Sequence, residues 1–233
     1  MDRRGGEQPI PRPDDWEELD PAPWFTHLAT PTLKAIENVL DGYQPTEVES
    51  RSKLLNVEGE IKQSAVLIPF YEGSPDEGAV MVMTRRPKHM RRHAGELAFP
   101  GGGFEGGDTD LWGTALREAD EEVSLQASDV RLVGQLDHFI TGGSFKMVAP
   151  FVGALDAKPE LVGDPSEVDE ILDISMAELF DPSAYRREQW RHGDDTHDVH
   201  FFELEGDTLW GASAFMLYRL FELLAESAGF DTN

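Results

Sequence analysis

Apolar residues fall along this chain in two rhythms. Two nearly continuous apolar runs, near 63–71 (QSAVLIPFY) and 78–85 (GAVMVMTR), predict strands, with Gly73-Ser-Pro-Asp-Glu-Gly78 as the turn between them. Further strands are expected at 96–99, 129–139, 146–155, 168–174 and 197–205, with a Gly142-Gly143-Ser144 turn before the third of these. The other rhythm has a period of four: Leu111, Ala115, Ala119 and Val123, with Leu116 adjoining, mark a helix over about 109–123. Helices are also expected at 31–42, 176–180 and, as a closing amphipathic element, 210–227. The polar stretch 181–197 (DPSAYRREQWRHGDDTH) reads as a surface loop. There is no internal repeat, and strands mixed with few helices predict one α/β sandwich.

Composition narrows what such a domain does. The 233 residues suffice for one sizeable core, and 20 Lys and Arg against 45 Asp and Glu give a formal charge of −25. With only six lysines, binding to nucleic acid or an anionic membrane surface is disfavoured, because phosphate contact needs cations to replace counterions. The same acidity resembles the proteins of salt-in halophilic archaea, where screening suppresses self-repulsion. The absence of cysteine excludes disulfides, a thiolate nucleophile and Cys-based zinc, and fits a cytoplasmic protein. Residues 1–23 lack an apolar signal core and read as a mobile or draped extension whose Trp16 and Trp24 could dock on the body. A homodimer is left open.

The candidate chemistry sits on the 109–123 helix. Arg117-Glu118-Ala119-Asp120-Glu121-Glu122 crowds four carboxylates beside the apolar stripe, and at about 100° per residue Glu118, Glu121 and Glu122 share one face. Carboxylate repulsion on a partly buried helix is relieved by a hard divalent ion such as Mg²⁺ or Mn²⁺, which keeps sites for substrate phosphate oxygens. Taken alone the stripe is equally a solvated acidic face. Upstream, Phe99-Pro100-Gly101-Gly102-Gly103 allows close backbone approach to a ligand. Five cations, Arg85, Arg86, Lys88, Arg91 and Arg92, lie within eight positions of a cation-poor chain and suggest an anion site. His89 and His93 suit loop structure or substrate contact better than metal ligation, and His197 and His200 read as alternate-strand surface residues.

Glycine loop, intervening acids and Arg-Glu-x-x-Glu-Glu together resemble the signature of the Nudix hydrolases, G-x5-E-x7-R-E-U-x-E-E-x-G-U, with U apolar. Counted from Gly103, Arg117, Glu118, Glu121, Glu122 and Leu125 match, while Thr109 replaces the first acid and Ser124 the last glycine. Counted from Gly102, with the loop one residue longer, Asp108 takes the place of the first acid, and this alignment is preferred. Ser124 in a left-handed position would lose about 1 kcal/mol relative to glycine and leave the acids untouched. Thr84-x-Arg86-x4-Arg91-x3-Gly95-x3-Phe99-Pro100-Gly101-Gly102 looks like the extra motif of the coenzyme A pyrophosphatase branch, and the stretches 141–155, 167–170 and 209–212 agree with it.

The resemblance spans about residues 32–225. It implies the Nudix α/β/α sandwich with a mixed sheet, residues 31–233 as a single domain and 1–30 as its flexible or draped extension. It further implies hydrolysis of coenzyme A or acyl-coenzyme A to 3′,5′-ADP and (acyl-)4′-phosphopantetheine. Glu118, Glu121 and Glu122 are then the ligands of Mg²⁺ or Mn²⁺, with Arg117 orienting a motif acid; its i, i+4 relation to Glu121 permits that contact. Arg86, Arg91, His93, Gly101 and Gly102 are expected at the substrate. Glu122, Glu121 or a distant acid such as Glu170 is expected to take the proton of the attacking water. Another nucleoside diphosphate derivative, such as ADP-ribose, is the alternative substrate. A non-catalytic nucleotide sensor of the same fold is the alternative of another class.

Overall fold

The computed structural model describes residues 4–22, 24–46, 62–90, 92–141, 146–193 and 195–232. Its central sheet grows from the two apolar runs, which form β2 (Gln63–Glu72) and β3 (Ala79–Arg85). Alternation divides their side chains between two cores. Ala65, Leu67, Val80 and Val82 face one core, and Ile68, Phe70, Met81 and Met83 face the other.

The strand order is β4-β3-β2-β8-β6, where β4 is Leu97–Ala98, β6 Arg131–Gln135 and β8 Met147–Ala154. Three further strands attach: β5 (Gly101–Gly103) to β2, β7 (Phe139–Ile140) to β8 and β9 (Glu170–Ser175) to β3. Since β2 and β8 run parallel while β2 and β3 run antiparallel, the sheet is mixed. Helix α2 (Leu111–Val123) covers the first core through Ala115, Ala119 and Val123. Helices α1 (Leu33–Leu40) and α4 (Gly211–Ser227) cover the second through Ile36, Leu40, Leu217 and Phe221, giving the α/β/α sandwich. The short α3 (Met176–Leu179) follows β9. None of the described helices is long and apolar enough to cross a membrane.

A second, antiparallel sheet was not anticipated. It runs β1-β10-β11-β12, from Trp16–Leu19, Tyr185–His192, Asp195–Glu203 and Thr208–Trp210. The expected surface loop at 181–197 is therefore mostly a hairpin. Its polarity misled because a buried charge, Glu188, stands between the buried aromatic residues Tyr185 and Trp190. Glu188, 1% exposed, accepts from Arg12 Nε (2.8 Å), from Trp190 Nε1 (2.7 Å) and from Arg186. His200, expected at the surface, is buried, stacks on Tyr218 at 3.7 Å and shares a 2.8 Å hydrogen bond with the Tyr185 hydroxyl. Burial and then the charge of Arg187 depress its pKa to about 3. The expected strand at 129–139 divides into β6 and β7 at residues 136–138, and β6 itself carries a register shift at Leu132/Gly134. At the N-terminal side, Trp24 is buried beside Tyr218, whereas Trp16 stays exposed under the Arg12 guanidinium.

Candidate active site

Helix α2 is fixed at both ends. The Asp110 carboxylate accepts the Gly113 N–H at 2.7 Å, a standard N-cap. At the other end Ser124 adopts the left-handed conformation (φ 59°), and the Leu125 N–H returns to the Ala119 carbonyl at 3.2 Å. The serine hydroxyl donates to the Val162 carbonyl at 3.1 Å, a contact glycine could not make.

Facing α2 is the glycine strand β5. A Cβ on Gly102 would overlap the Glu118 carboxylate, and one on Gly101 would collide with the Ala65 carbonyl. Glycine at 102 is thus what lets Glu118 reach the sheet, and glycine at 101 is what lets β5 lie against β2. Glu122, 5% exposed, accepts a hydrogen bond from the Gly101 N–H. Its pKa is nevertheless pushed up to about 8 by burial, with the charges of Glu167 and Glu118 adding, against the pull of Arg86. Glu118 is raised as well, chiefly by burial, although Arg117 Nη2 lies 3.0 Å away.

Arg117 gathers the loop onto the helix. Its Nε donates to Asp108 at 2.8 Å, Nη1 to Glu121 at 2.9 Å and Nη2 to the Gly103 carbonyl at 3.0 Å. Asp108 also accepts from the Thr114 hydroxyl and the Glu105 N–H, and Arg117 together with these donors holds it well below the usual carboxylate range. Asp108 is therefore the acid that receives the motif arginine, in keeping with the Gly102 alignment.

Glu121 differs from its neighbours. Its side chain is 61% exposed and tied to Arg117. Among the described residues no three His, Cys, Asp or Glu side chains already converge closely enough to hold a metal. The pair Glu118 and Glu122 nonetheless has the chemistry a hard divalent cation requires: oxygen donors, desolvated, mutually repelling and backed by close-packed glycines.

Arg86 continues the Val80, Val82, Thr84 side of β3 and so points toward the acidic helix; its charge acts on Glu122, and its Nε is buried without a hydrogen-bond partner among the described residues. His93, in a left-handed conformation (φ 57°), pairs with Glu96 at 2.9 Å, which raises its pKa. Arg91 lies outside the described residues. Glu170 is engaged by Arg85. The 162–168 loop instead brings Glu167: Val162 N–H donates to the Val123 carbonyl at 3.1 Å and Asp164 N–H to the Glu122 carbonyl at 2.9 Å. Glu167 then raises both Glu118 and Glu122. The sequence offered one signal for it, its place in the Glu167–Glu170 stretch, and no means of choosing between the two glutamates.

The NUDIX domain family matches residues 61–205, well over half the chain. The chain is a Nudix hydrolase. It is 32% identical over 160 residues to the Photorhabdus laumondii protein described as an uncharacterized Nudix hydrolase, NudL, covering 68% of this chain and 83% of that one. A NudL of the same description from Yersinia enterocolitica is 36% identical, covering 67% and 78%. A solved MutT/nudix family protein from Enterococcus faecalis shares the fold, with a TM-score of 0.51 over 84% of this chain and 75% of that one at 13% identity. Nudix hydrolases in general use divalent metals such as Mg²⁺ or Mn²⁺.

Proposed function

We propose that this Nudix hydrolase cleaves the diphosphate of coenzyme A or acyl-coenzyme A, releasing 3′,5′-ADP and (acyl-)4′-phosphopantetheine. The observation that carries the reading is Arg86: a guanidinium of the 84–102 motif on the acidic-helix side of the sheet, whose buried Nε has no hydrogen-bond partner among the described residues. Its fork suits phosphate oxygens. Arg91 shares this work by the resemblance, and His93 is paired with Glu96.

A Mg²⁺ or Mn²⁺ ion supplies charge neutralisation at the diphosphate and acidifies the attacking water. Glu118 and Glu122 would hold it, and Glu121 would join them only by leaving its ion pair with Arg117. Gly102 gives the Glu118 carboxylate room against β5, and the Gly101 N–H donates to Glu122, so the two expected substrate glycines act here on the acids. Water attacks phosphorus, the bridging P–O bond breaks, and a carboxylate oxygen takes the water's proton. Glu167 suits that last role better than Glu170, whose carboxylate is occupied by Arg85.

Product analysis tests the reading. Coenzyme A, ADP-ribose and diadenosine polyphosphates are incubated with the protein at low and multimolar salt in Mg²⁺ or Mn²⁺. Preferential release of 3′,5′-ADP is expected. Preferential cleavage of ADP-ribose would keep the acids and discard the coenzyme A specificity, and tight binding without turnover would favour a sensor, against which the intact Glu118, Glu121 and Glu122 argue.

A further inference from the structure

We propose that Asp207 is a positioning residue for the reaction, acting through Arg85 to hold Arg86 on the side of Glu122; this rests on the reading of Arg86 as a diphosphate ligand. The two arginines are consecutive, and strand alternation sends them to opposite faces. Arg85 ends β3 on the side of Met81 and Met83, toward the second sheet. There Arg85 Nε donates to Asp207 Oδ1 at 3.0 Å and Nη2 to Oδ2 at 2.5 Å, while Nη1 reaches Glu170. Asp207 is only 4% exposed, immediately precedes β12, and receives the Leu204 N–H on its carbonyl at 2.8 Å.

The backbone of Arg85 is held as firmly as its side chain. Its carbonyl accepts the Asp169 N–H at 2.8 Å, and it lies opposite Leu97 of β4 and Glu170 of β9. One residue on, the Arg86 N–H donates to the Glu96 carbonyl at 3.0 Å, closing the basic loop. The second sheet, the Glu167 loop and the basic loop therefore meet at Arg85. A two-pronged guanidinium–carboxylate pair fixes orientation as well as distance. A buried ion pair adds little net stability over apolar packing, so what this one supplies is placement of the adjoining Arg86.

The test is a double-mutant cycle with Asp207→Asn and Arg86→Ala, and Arg85→Lys as a second probe of the same bond, assayed well below the melting temperature of each variant. Asp207→Asn is expected to raise KM for the diphosphate substrate about tenfold with kcat changed less than about threefold, and to add little to Arg86→Ala. Arg85→Lys should follow Asp207→Asn. A lowered Tm with unchanged KM in both, or full additivity with Arg86→Ala, would overturn the positioning role. If Arg86→Ala leaves KM unchanged, the diphosphate reading of Arg86 fails and this proposal with it; if Arg86→Ala raises KM and Asp207→Asn does not, only the positioning role falls.

Discussion

Two buried glutamates, one in each sheet region, respond to burial in opposite ways. Glu188 in the second sheet is 1% exposed, yet its pKa is lowered, because Arg12, Trp190 and Arg186 donors outweigh desolvation. Glu122 on α2 is 5% exposed and is pushed up to about 8, first by burial and then by the charges of Glu167 and Glu118, which the single Gly101 N–H and the charge of Arg86 do not offset. The first carboxylate is satisfied by the protein and serves the fold. The second is left in deficit, and the deficit is what a cation and a phosphate binder would fill. Charge alone thus says little about function here; compensation says more.

The largest expected consequence falls on activity. Glu118→Gln removes a ligand charge at nearly constant volume and should lower kcat by roughly a thousandfold with the circular dichroism spectrum unchanged; steady-state rates in Mg²⁺ check this, and retained activity would move the site elsewhere. Next comes the opposite kind of acid. Glu188→Gln removes the buried charge that pairs the partly exposed Arg12 and Arg186 and should destabilise the fold by about 3 kcal/mol in urea titrations while sparing kcat. A loss of turnover without loss of stability would break the contrast.

A smaller, sign-reversed effect is expected at Glu122. With a folded pKa above its unfolded value, the native state holds a proton the unfolded chain has released, so metal-free stability falls as pH rises from about 4.5 toward 8. Glu122→Gln removes that dependence and should stabilise the metal-free protein more at pH 7.5 than at pH 5. Thermal melts at pH 5 and 7.5 decide it; parallel melting curves for both proteins would contradict the assignment of strain to this carboxylate.

The sequence made the central region legible and the second sheet opaque, for one physical reason. In β2, β3, β8 and α2 burial is achieved mostly with apolar side chains, so period and burial largely coincide: Ala115, Ala119 and Val123 are buried as their spacing requires. In β10 the buried residues are Tyr185, Glu188 and Trp190, with Arg186 half-buried against Glu188, and no hydrophobic alternation remains to be read. His200 was misplaced for the same reason, since its burial depends on Tyr185 and Tyr218, which are distant in sequence. At the site, spacing brought Glu118 and Glu122 to one face and identified Asp108 as the acid of the longer loop. Spacing could not show that Glu121 turns outward onto Arg117, that the loop after β8 carries Glu167 inward, or that Arg85 is anchored by Asp207, because each depends on contacts between separate elements.

The central claim, that the deficit at Glu118 and Glu122 is a divalent-cation site, is tested most directly by measuring Mn²⁺ binding to the substrate-free protein by electron paramagnetic resonance at pH 7.5. The account predicts saturable binding that is weakened at least about tenfold in both Glu118→Gln and Glu122→Gln and is unchanged in Glu188→Gln. Equal binding by all four proteins would contradict it.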